Sequence, residues 1–529
     1  AANCGQASPG IAHMWHMPGH IYSKLKRYQD AVWQQEASAR VDHSHMIRDL
    51  ILPDQIHNFA HNNEWLIRNL NFLGRINDAV ALAKNMIELP RHPKINTLAK
   101  PDSPTEYGKR GSARYGRSRL IETLLRYEMW EEIIQLSQTV YLADTTIPEE
   151  QAKRLAALGA AHYSLGQEDK GSEALKEIEN ISIKLKQLKL EASAKAEEKA
   201  RAEKKSDNDI NKAMVEAMNK FNNRFKTINQ YKAELLVYDS IHNKDEDTFK
   251  NQLKKATRIA RERKAQLQLK IGNEKEALKL ASESAKSAKE VQPLANYADL
   301  LWKAGKEKEA IEQFKSLRKI SGNIDIEHAL FQRLNPIAQK LKLPEDWRVQ
   351  NKSSNDVGER PSLDLLGPFR WSPSLAPHWS LTDGQGKKHS LTDYTGRPVI
   401  VVFYLGKGCV HCIEQLSAFA PEVDSFKQAG IDLIAISTDN IGGLRETFQL
   451  NKDKPFPFPL VSDTSLKVFK KYKAYDDFEK KPLHGTFLID RGGHIRWQDI
   501  SFEPFTELQF LIKESKRLLA QEPPQVTRR

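Results

Sequence analysis

The sequence predicts a multidomain protein: an all-α array of helical repeats followed by an α/β domain. Three observations carry that prediction. A short helix–turn–helix register recurs through residues 10–345. A polar stretch, VQNKSSNDVGERPSLDLL at 349–366, then breaks the helical spacing. From about Gly367 onward, apolar runs of strand length alternate with helical stretches. A chain of 529 residues is too long for one ordinary core. The expected division is a His-rich repeat region at 1–175, a long charged helical segment at 176–240, and a second repeat region at 241–348. A linker at 349–366 and an α/β domain at 367–529 complete it.

The repeats come first. A small residue or Gly closes one helix, a polar turn follows, and Glu or Asp with Ala opens the next. The register reads LKRYQDAV (25–32), LGRINDAV (73–80), IGNEKEAL (271–278) and AGKEKEAI (304–311). Gly272 and Ala277 map onto Gly305 and Ala310, 33 residues further on. This spacing resembles tetratricopeptide repeats, whose helix pairs stack because neither helix buries its apolar face alone. The resemblance implies an extended surface that engages a protein partner.

Residues 176–210 are dominated by Ala, Lys and Glu, without Gly or Pro. A long solvated helix is expected, serving as a spacer or docking arm. No aromatic interleaves the lysines, so no nucleic acid is expected as partner. The formal charge of +12 is spread along the chain rather than gathered in one patch. No run of about 18 apolar residues exists, so no transmembrane helix is expected. The chain begins AANCGQ, without Met. That small-residue start leads us to expect a removed targeting segment and a periplasmic or otherwise exported protein. With three cysteines there is no disulfide framework. Cys409 and Cys412 can pair, and Cys4 is left over.

In the α/β domain the strand candidates are 378–381, 398–405, 431–438, 458–462 and the pair within 485–499. Helices are expected at 410–428, 441–450, 465–473 and 506–519. Asp383-Gly384 and Gly492-Gly493 are expected as hairpin turns. A mixed sheet with helices on both faces follows. The segment PVIVVFYL is a buried strand, and FYLGKGCVHC at 403–412 carries both cysteines onto the turn into the next helix. There free backbone N–H groups and the helix dipole stabilise a thiolate. A C-x-x-C so placed points to thiol–disulfide chemistry. No Gly-rich phosphate loop joins a strand to a helix, so no organic cofactor is expected.

With APHWSLTDGQGKKHSLTDYTGRPVIVVFY before it and GTFLIDRGGHIRW after it, the C-x-x-C stretch resembles the thioredoxin-like superfamily, in its peroxiredoxin (AhpC/TSA) and TlpA-like branches. The resemblance covers about Gly367 to Gln521. The fold class is thus an all-α tetratricopeptide-like array followed by an α/β thioredoxin-like domain. On the peroxiredoxin pattern Cys412 takes the peroxidatic position and Cys409 the position of a Thr, while Leu405 replaces a Pro. His484 stands in the slot of the family's catalytic Arg. Without that Arg and the Thr hydroxyl, two donors for a peroxide transition state are missing. In the thioredoxin mode Cys409 attacks and Cys412 resolves; in the peroxiredoxin mode the roles reverse. His411, between the cysteines, and His484 are expected to tune the pocket. The Sco copper-delivery branch also combines two cysteines with a late-strand His, although its cysteines stand one residue further apart. Copper on Cys409, Cys412 and His484 is therefore an alternative. Glu414 and Asp439 are expected to be solvated at the surface.

Half of the sixteen histidines lie in the first 92 residues. His13, His16 and His20 are spaced three and four apart, beside Met14 and Met17, but Pro18-Gly19 is expected to interrupt a helix there. His57 and His61 stand four apart in HNFAH. Asn58 occupies the place of the metalloprotease Glu, so that chemistry is excluded. HMPGHIYSKLKRYQDAV resembles tetratricopeptide-type bacterial proteins with an H-M-P-x-H-I opening, which implies structural imidazoles bonded to neighbouring helix ends. A metal or haem site is the alternative. HNNEW (61–65) and RHP (91–93) are expected to hydrogen-bond between stacked helices. Trp15, Trp33 and Trp65 are expected in the core. The function expected is thiol–disulfide oxidoreduction supplied by a thioredoxin-type donor or acceptor. Antioxidant thiol peroxidase activity and a copper-binding scaffold are the alternatives.

Overall fold

The computed structural model describes residues 2–56, 58–93, 111–350, 354–449 and 455–521. Its first two-thirds is helix following helix, and its last third is a mixed sheet between helices.

One turn organises the helical part. Helix Ala12–Lys24 is joined to Tyr28–Asp49 through Lys26, which is left-handed at φ 57°. Gly74, Glu128, Gly166, Lys244, Gly272 and Gly305 hold the same left-handed place between later helices. A residue of positive φ at a helix C-terminus caps the last carbonyls and reverses the chain. Glycine adopts it without strain, which is why four of these seven turns are legible as Gly. Consecutive helices then bury their apolar faces against each other. Leu66, Leu70, Ala79 and Leu82 share a continuous core with Leu120, Leu124 and Ala161.

Two expectations about this region are corrected. Ala12–Lys24 runs unbroken through Pro18, which is buried. The next residue, Gly19, lies so close to the Gln35 side chain that a Cβ would stand 2.5 Å from its Nε2. Close packing on the neighbouring helix holds the proline turn in place. The charged segment is a long, mostly exposed helix, as expected, but it is not a detached spacer. Helix Glu168–Ala202 buries Ala174, Ile178, Leu185, Ser193 and Ala200, a stripe spaced four to eight apart that packs on the chain's own following helices. Trp15 is core, whereas Trp33 and Trp65 are half-buried.

The sheet has strands β1 (Ser380–Asp383), β2 (Lys388–Ser390), β3 (Val399–Tyr404), β4 (Asp432–Ser437) and β5 (Leu460–Ser462). A two-residue pair, β6 (Tyr475–Asp476) and β7 (Lys481–Pro482), precedes β8 (His484–Ile489) and β9 (Ile495–Ser501). The order is β2-β1-β5-β4-β3-β8-β9, with β3, β4 and β5 parallel and β8 antiparallel to β3. β3 is buried throughout, as its continuous β-branched run requires. Ile400, Val402 and Tyr404 face helices Val410–Gln428 and Leu508–Leu519. Val399, Val401 and Phe403 face Val468, Phe469 and Tyr472. Helices cover both faces, in the order expected of a thioredoxin-like domain. The hairpin after β1 turns on Gly386 (φ 89°) rather than Gly384, and that after β8 turns on Gly493 (φ 81°).

The two parts are packed together. Arg27 pairs with Asp356, Arg360 with Asp30, and Arg40 with Asp364, so the polar segment before the sheet lies along the first helices. The RHP run bonds across to the sheet domain. The Arg91 N–H donates to Glu514, His92 Nε2 stands 2.9 Å from Asp499 Oδ1, and Trp497 Nε1 donates to the Arg91 carbonyl.

Candidate active site

β3 ends at Tyr404 in the middle of the sheet, and the chain leaves it through Leu405–Gly408. Gly406 is left-handed (φ 94°), and the Lys407 N–H donates to Asp439 Oδ2 at 2.8 Å. Asp439 is itself fixed by its backbone N–H on Ser437 Oγ. Thr438 Oγ1 donates to the Leu405 carbonyl. The turn is thus tied to the end of β4, its parallel neighbour. Asp439 is not a solvated surface group, as expected, but a clamp. The readable signal is its place at the carboxyl end of a central parallel strand, where functional groups of open α/β sheets gather.

Cys409 is the N-cap of helix Val410–Gln428. Its backbone is extended, and its Sγ accepts the Cys412 N–H at 3.3 Å. An oxygen usually fills that position. Sulfur there meets the positive end of the helix dipole. Cys409 is half-buried, and Cys412, one turn on, is fully buried.

His484 opens β8. The antiparallel pairing Phe403↔Gly485 brings the residue before Gly485 to the end of β3, beside the turn. Its Nε2 lies 3.1 Å from Cys412 Sγ and 3.7 Å from Cys409 Sγ. The Leu405 N–H also points at Cys412 Sγ, at 3.2 Å. Burial pushes the Cys412 thiol well above the ordinary thiol range, the Cys409 sulfur adds to the effect, and the Leu405 N–H opposes it. Burial likewise lowers the His484 pKa. At neutral pH the inner pair is therefore an uncharged thiol beside an uncharged imidazole. In the tautomer with Nε2 unprotonated, His484 takes the Cys412 proton when that sulfur attacks.

His411 is not part of this group. Its side chain is 70% exposed and its Nδ1 faces Glu414 Oε2 at 3.2 Å. The physical reason is helical: residues one or two apart do not share a face, so the position between the two sulfurs turns to solvent. Glu414 is solvated beside it, as expected. Sequence reasoning passed over Gln415, whose Nε2 donates to the Phe505 carbonyl at 2.9 Å and pins the cysteine helix to the segment after β9. Its only sequence signal is a polar residue one turn beyond Cys412 on a buried face. Cys409 Sγ, Cys412 Sγ and His484 Nε2 lie within 4.8 Å of one another and form a donor set for a soft metal ion.

Residues 374–498 match the AhpC/TSA family. A chloroplastic peroxiredoxin Q of Oryza sativa subsp. japonica is 34% identical over 125 residues, which is 23% of this chain and 56% of that protein. A Mycobacterium tuberculosis protein described as a peroxiredoxin is 34% identical over 126 residues, covering 23% of this chain and 78% of that one. The chain thus spans little more than half the length of the plant relatives it matches. The crystal structure of a peroxidoxin from Mycobacterium tuberculosis aligns with a TM-score of 0.26 at 19% identity, over 28% of this chain and 98% of that one.

Proposed function

The chain belongs, through its C-terminal domain, to the AhpC/TSA family, and on that premise we propose that it is a thiol–disulfide oxidoreductase whose helical repeats engage a protein partner. The observation that carries this reading is the asymmetry of the two sulfurs. The outer Cys409 caps a helix and is reachable, while the inner Cys412 is sealed beside an imidazole. Cys409 thiolate attacks one sulfur of a substrate disulfide and expels the other as a thiolate, leaving a mixed disulfide. Cys412 gives its proton to His484 and attacks Cys409 Sγ, releasing the second substrate thiol. The dithiol has then given two electrons and become the Cys409–Cys412 disulfide. A thioredoxin-type donor restores it. Val410 follows Cys409, and Phe502 follows Ser501, the β9 partner of His484; both are exposed apolar groups suited to a polypeptide substrate.

A second reading is thiol peroxidase. It is favoured by the peroxiredoxin relatives and by the peroxidatic slot of Cys412. There Cys412 attacks the peroxide, an alcohol or water leaves, and Cys409 condenses with the sulfenic acid to give the same disulfide and water. Copper on the two sulfurs and His484 is the third.

Turnover of a protein disulfide and of a hydroperoxide, each with dithiothreitol as reductant, separates them. We expect Cys409→Ser to abolish disulfide reduction and Cys412→Ser to stop at a mixed disulfide visible in the intact mass. Hydroperoxide consumption that vanishes in Cys412→Ser but survives for one turnover in Cys409→Ser, without disulfide reduction, reassigns the protein as a peroxidase. Stoichiometric copper in anaerobically purified protein, lost in His484→Ala, reassigns it to metal handling.

A further inference from the structure

A second cluster of metal-ligating side chains lies on the N-terminal helices, outside the dithiol. Because helix Ala12–Lys24 is continuous through Pro18, His16 and His20 stand four apart on one face. The first turn of helix Phe59–Leu73 brings His61 against them. The ring centroids are 4.3 Å apart for His16–His20, 5.0 Å for His16–His61 and 5.4 Å for His20–His61. One nitrogen of each ring lies within 4.8 Å of the other two. Two imidazole nitrogens on one tetrahedral zinc ion stand about 3.4 Å apart. A small closing of the rings therefore brings all three onto one ion.

His16 gives the independent evidence. It is 1% exposed, yet neither ring nitrogen has a hydrogen-bond partner among the described residues. The Gln35 amide beside it acts weakly on the ring, without a hydrogen bond of full geometry. The expectation of imidazoles bonded to helix ends fails at this residue. A buried polar group left unpaired costs about 1–3 kcal/mol. A buried imidazole with both nitrogens outside any well-formed hydrogen bond, packed against two further imidazoles, has the surroundings of a metal ligand. Burial, with His20 and His61 close by, lowers the His16 pKa to about 3. Burial likewise lowers that of His20. Glu64 Oε1 stands 3.6 Å behind His61 Nδ1 and is itself paired with Arg119, the carboxylate–imidazole arrangement that orients a metal-binding ring. Trp65 closes the His20 side, edge-on at 4.3 Å. His57 lies outside the described residues.

We propose that His16, His20 and His61 bind one divalent transition-metal ion, with a fourth coordination position open on the half-exposed His61 side. Three nitrogen donors and no sulfur suit zinc, copper(II) or nickel(II) rather than magnesium or calcium. This site is independent of the redox chemistry proposed for the C-terminal domain.

The test uses the full chain with Cys409→Ser and Cys412→Ser, so that the thiol site cannot compete. Stripped of metal and titrated with zinc alone, it should take up one ion per chain by calorimetry and elemental analysis. His20→Ala and His61→Ala, at half-exposed positions that tolerate truncation better than His16, should keep the parent circular dichroism. Each should weaken zinc binding by more than the about tenfold that loss of an outer partner costs. Absence of zinc uptake by the parent, or unchanged affinity in both folded variants, overturns the proposal.

Discussion

Asp42 lies on helix Tyr28–Asp49 at 3% exposure, and its Oδ2 accepts an N–H from Asn62 at 2.8 Å. Burial raises its pKa from 3.8 to about 7, and the Asn62 donor offsets part of that rise. The folded chain therefore holds this proton more tightly than the unfolded chain. The stabilisation is complete below pH 3.8 and is lost as pH rises through about 7. The whole span corresponds to roughly 4 kcal/mol. Asp42→Asn should flatten that part of the stability–pH slope. In thermal melts at pH 4 and pH 8 the variant should gain on the parent at pH 8 only. An unchanged difference between the two pH values would show Asp42 ionised in the folded state. At this scale the meeting of Cys409, Cys412 and His484 was legible, because residue type and place at the ends of β3 and β8 bring the three together. His411 does not meet the sulfurs, because adjacency in sequence is not adjacency on a helix, and it reaches the pocket only through a minor electrostatic effect on His484. Asp42 and Asn62 come from different helices, and no local pattern pairs them.

Elements were legible wherever one period runs uninterrupted. β3, β4 and helix Val410–Gln428 fall within a residue of their expected bounds because each is a single apolar pattern between breakers. The three-residue β2 and the two-residue β6 and β7 carry no period to read. Helix Ala12–Lys24 shows the opposite error: the local rule against proline lost to tertiary packing around Gly19 and Gln35. The turn between β3 and the cysteine helix is the element on which the dithiol depends. Gly406 holds φ 94° there, and an added Cβ would lie 2.5 Å from Asp439 Oδ1. Gly406→Ala carries both a backbone cost of about 1–3 kcal/mol and a clash with the clamp. It should lower the melting temperature and alter the alkylation rate of Cys409 by iodoacetamide. Asp439→Asn keeps an oxygen to accept the Lys407 N–H and should alter that rate less. Equal behaviour of Gly406→Ala and the parent in both measurements would show that the turn does not set the sulfur positions.

For the whole molecule the question is whether the helical region and the redox domain behave as one unit. Leu52, between helices Tyr28–Asp49 and Phe59–Leu73, is buried in the redox-domain core beside Ile400 and Leu416. Across the same interface Arg517 donates to the carbonyls of Ile87 and Leu89, where helix Ile76–Glu88 ends and its dipole is negative. Glu514, with a fully buried side chain, pairs with Arg517 at 2.6 Å and accepts the Arg91 N–H. None of this was legible in sequence, because the partners lie about 400 residues apart and are polar groups of ordinary surface type. Removing one member of such a pair leaves a buried charge uncompensated, at about 3–5 kcal/mol. Arg517→Ala should therefore separate the parts. We expect the parent to unfold the interface helices and the redox domain in one calorimetric transition, and the variant to show two, the earlier of them lowered. Adding Glu514→Gln removes the stranded charge and should recover part of the loss. If Arg517→Ala leaves the calorimetric profile unchanged, the interface contributes contact without coupling the stability of the two parts.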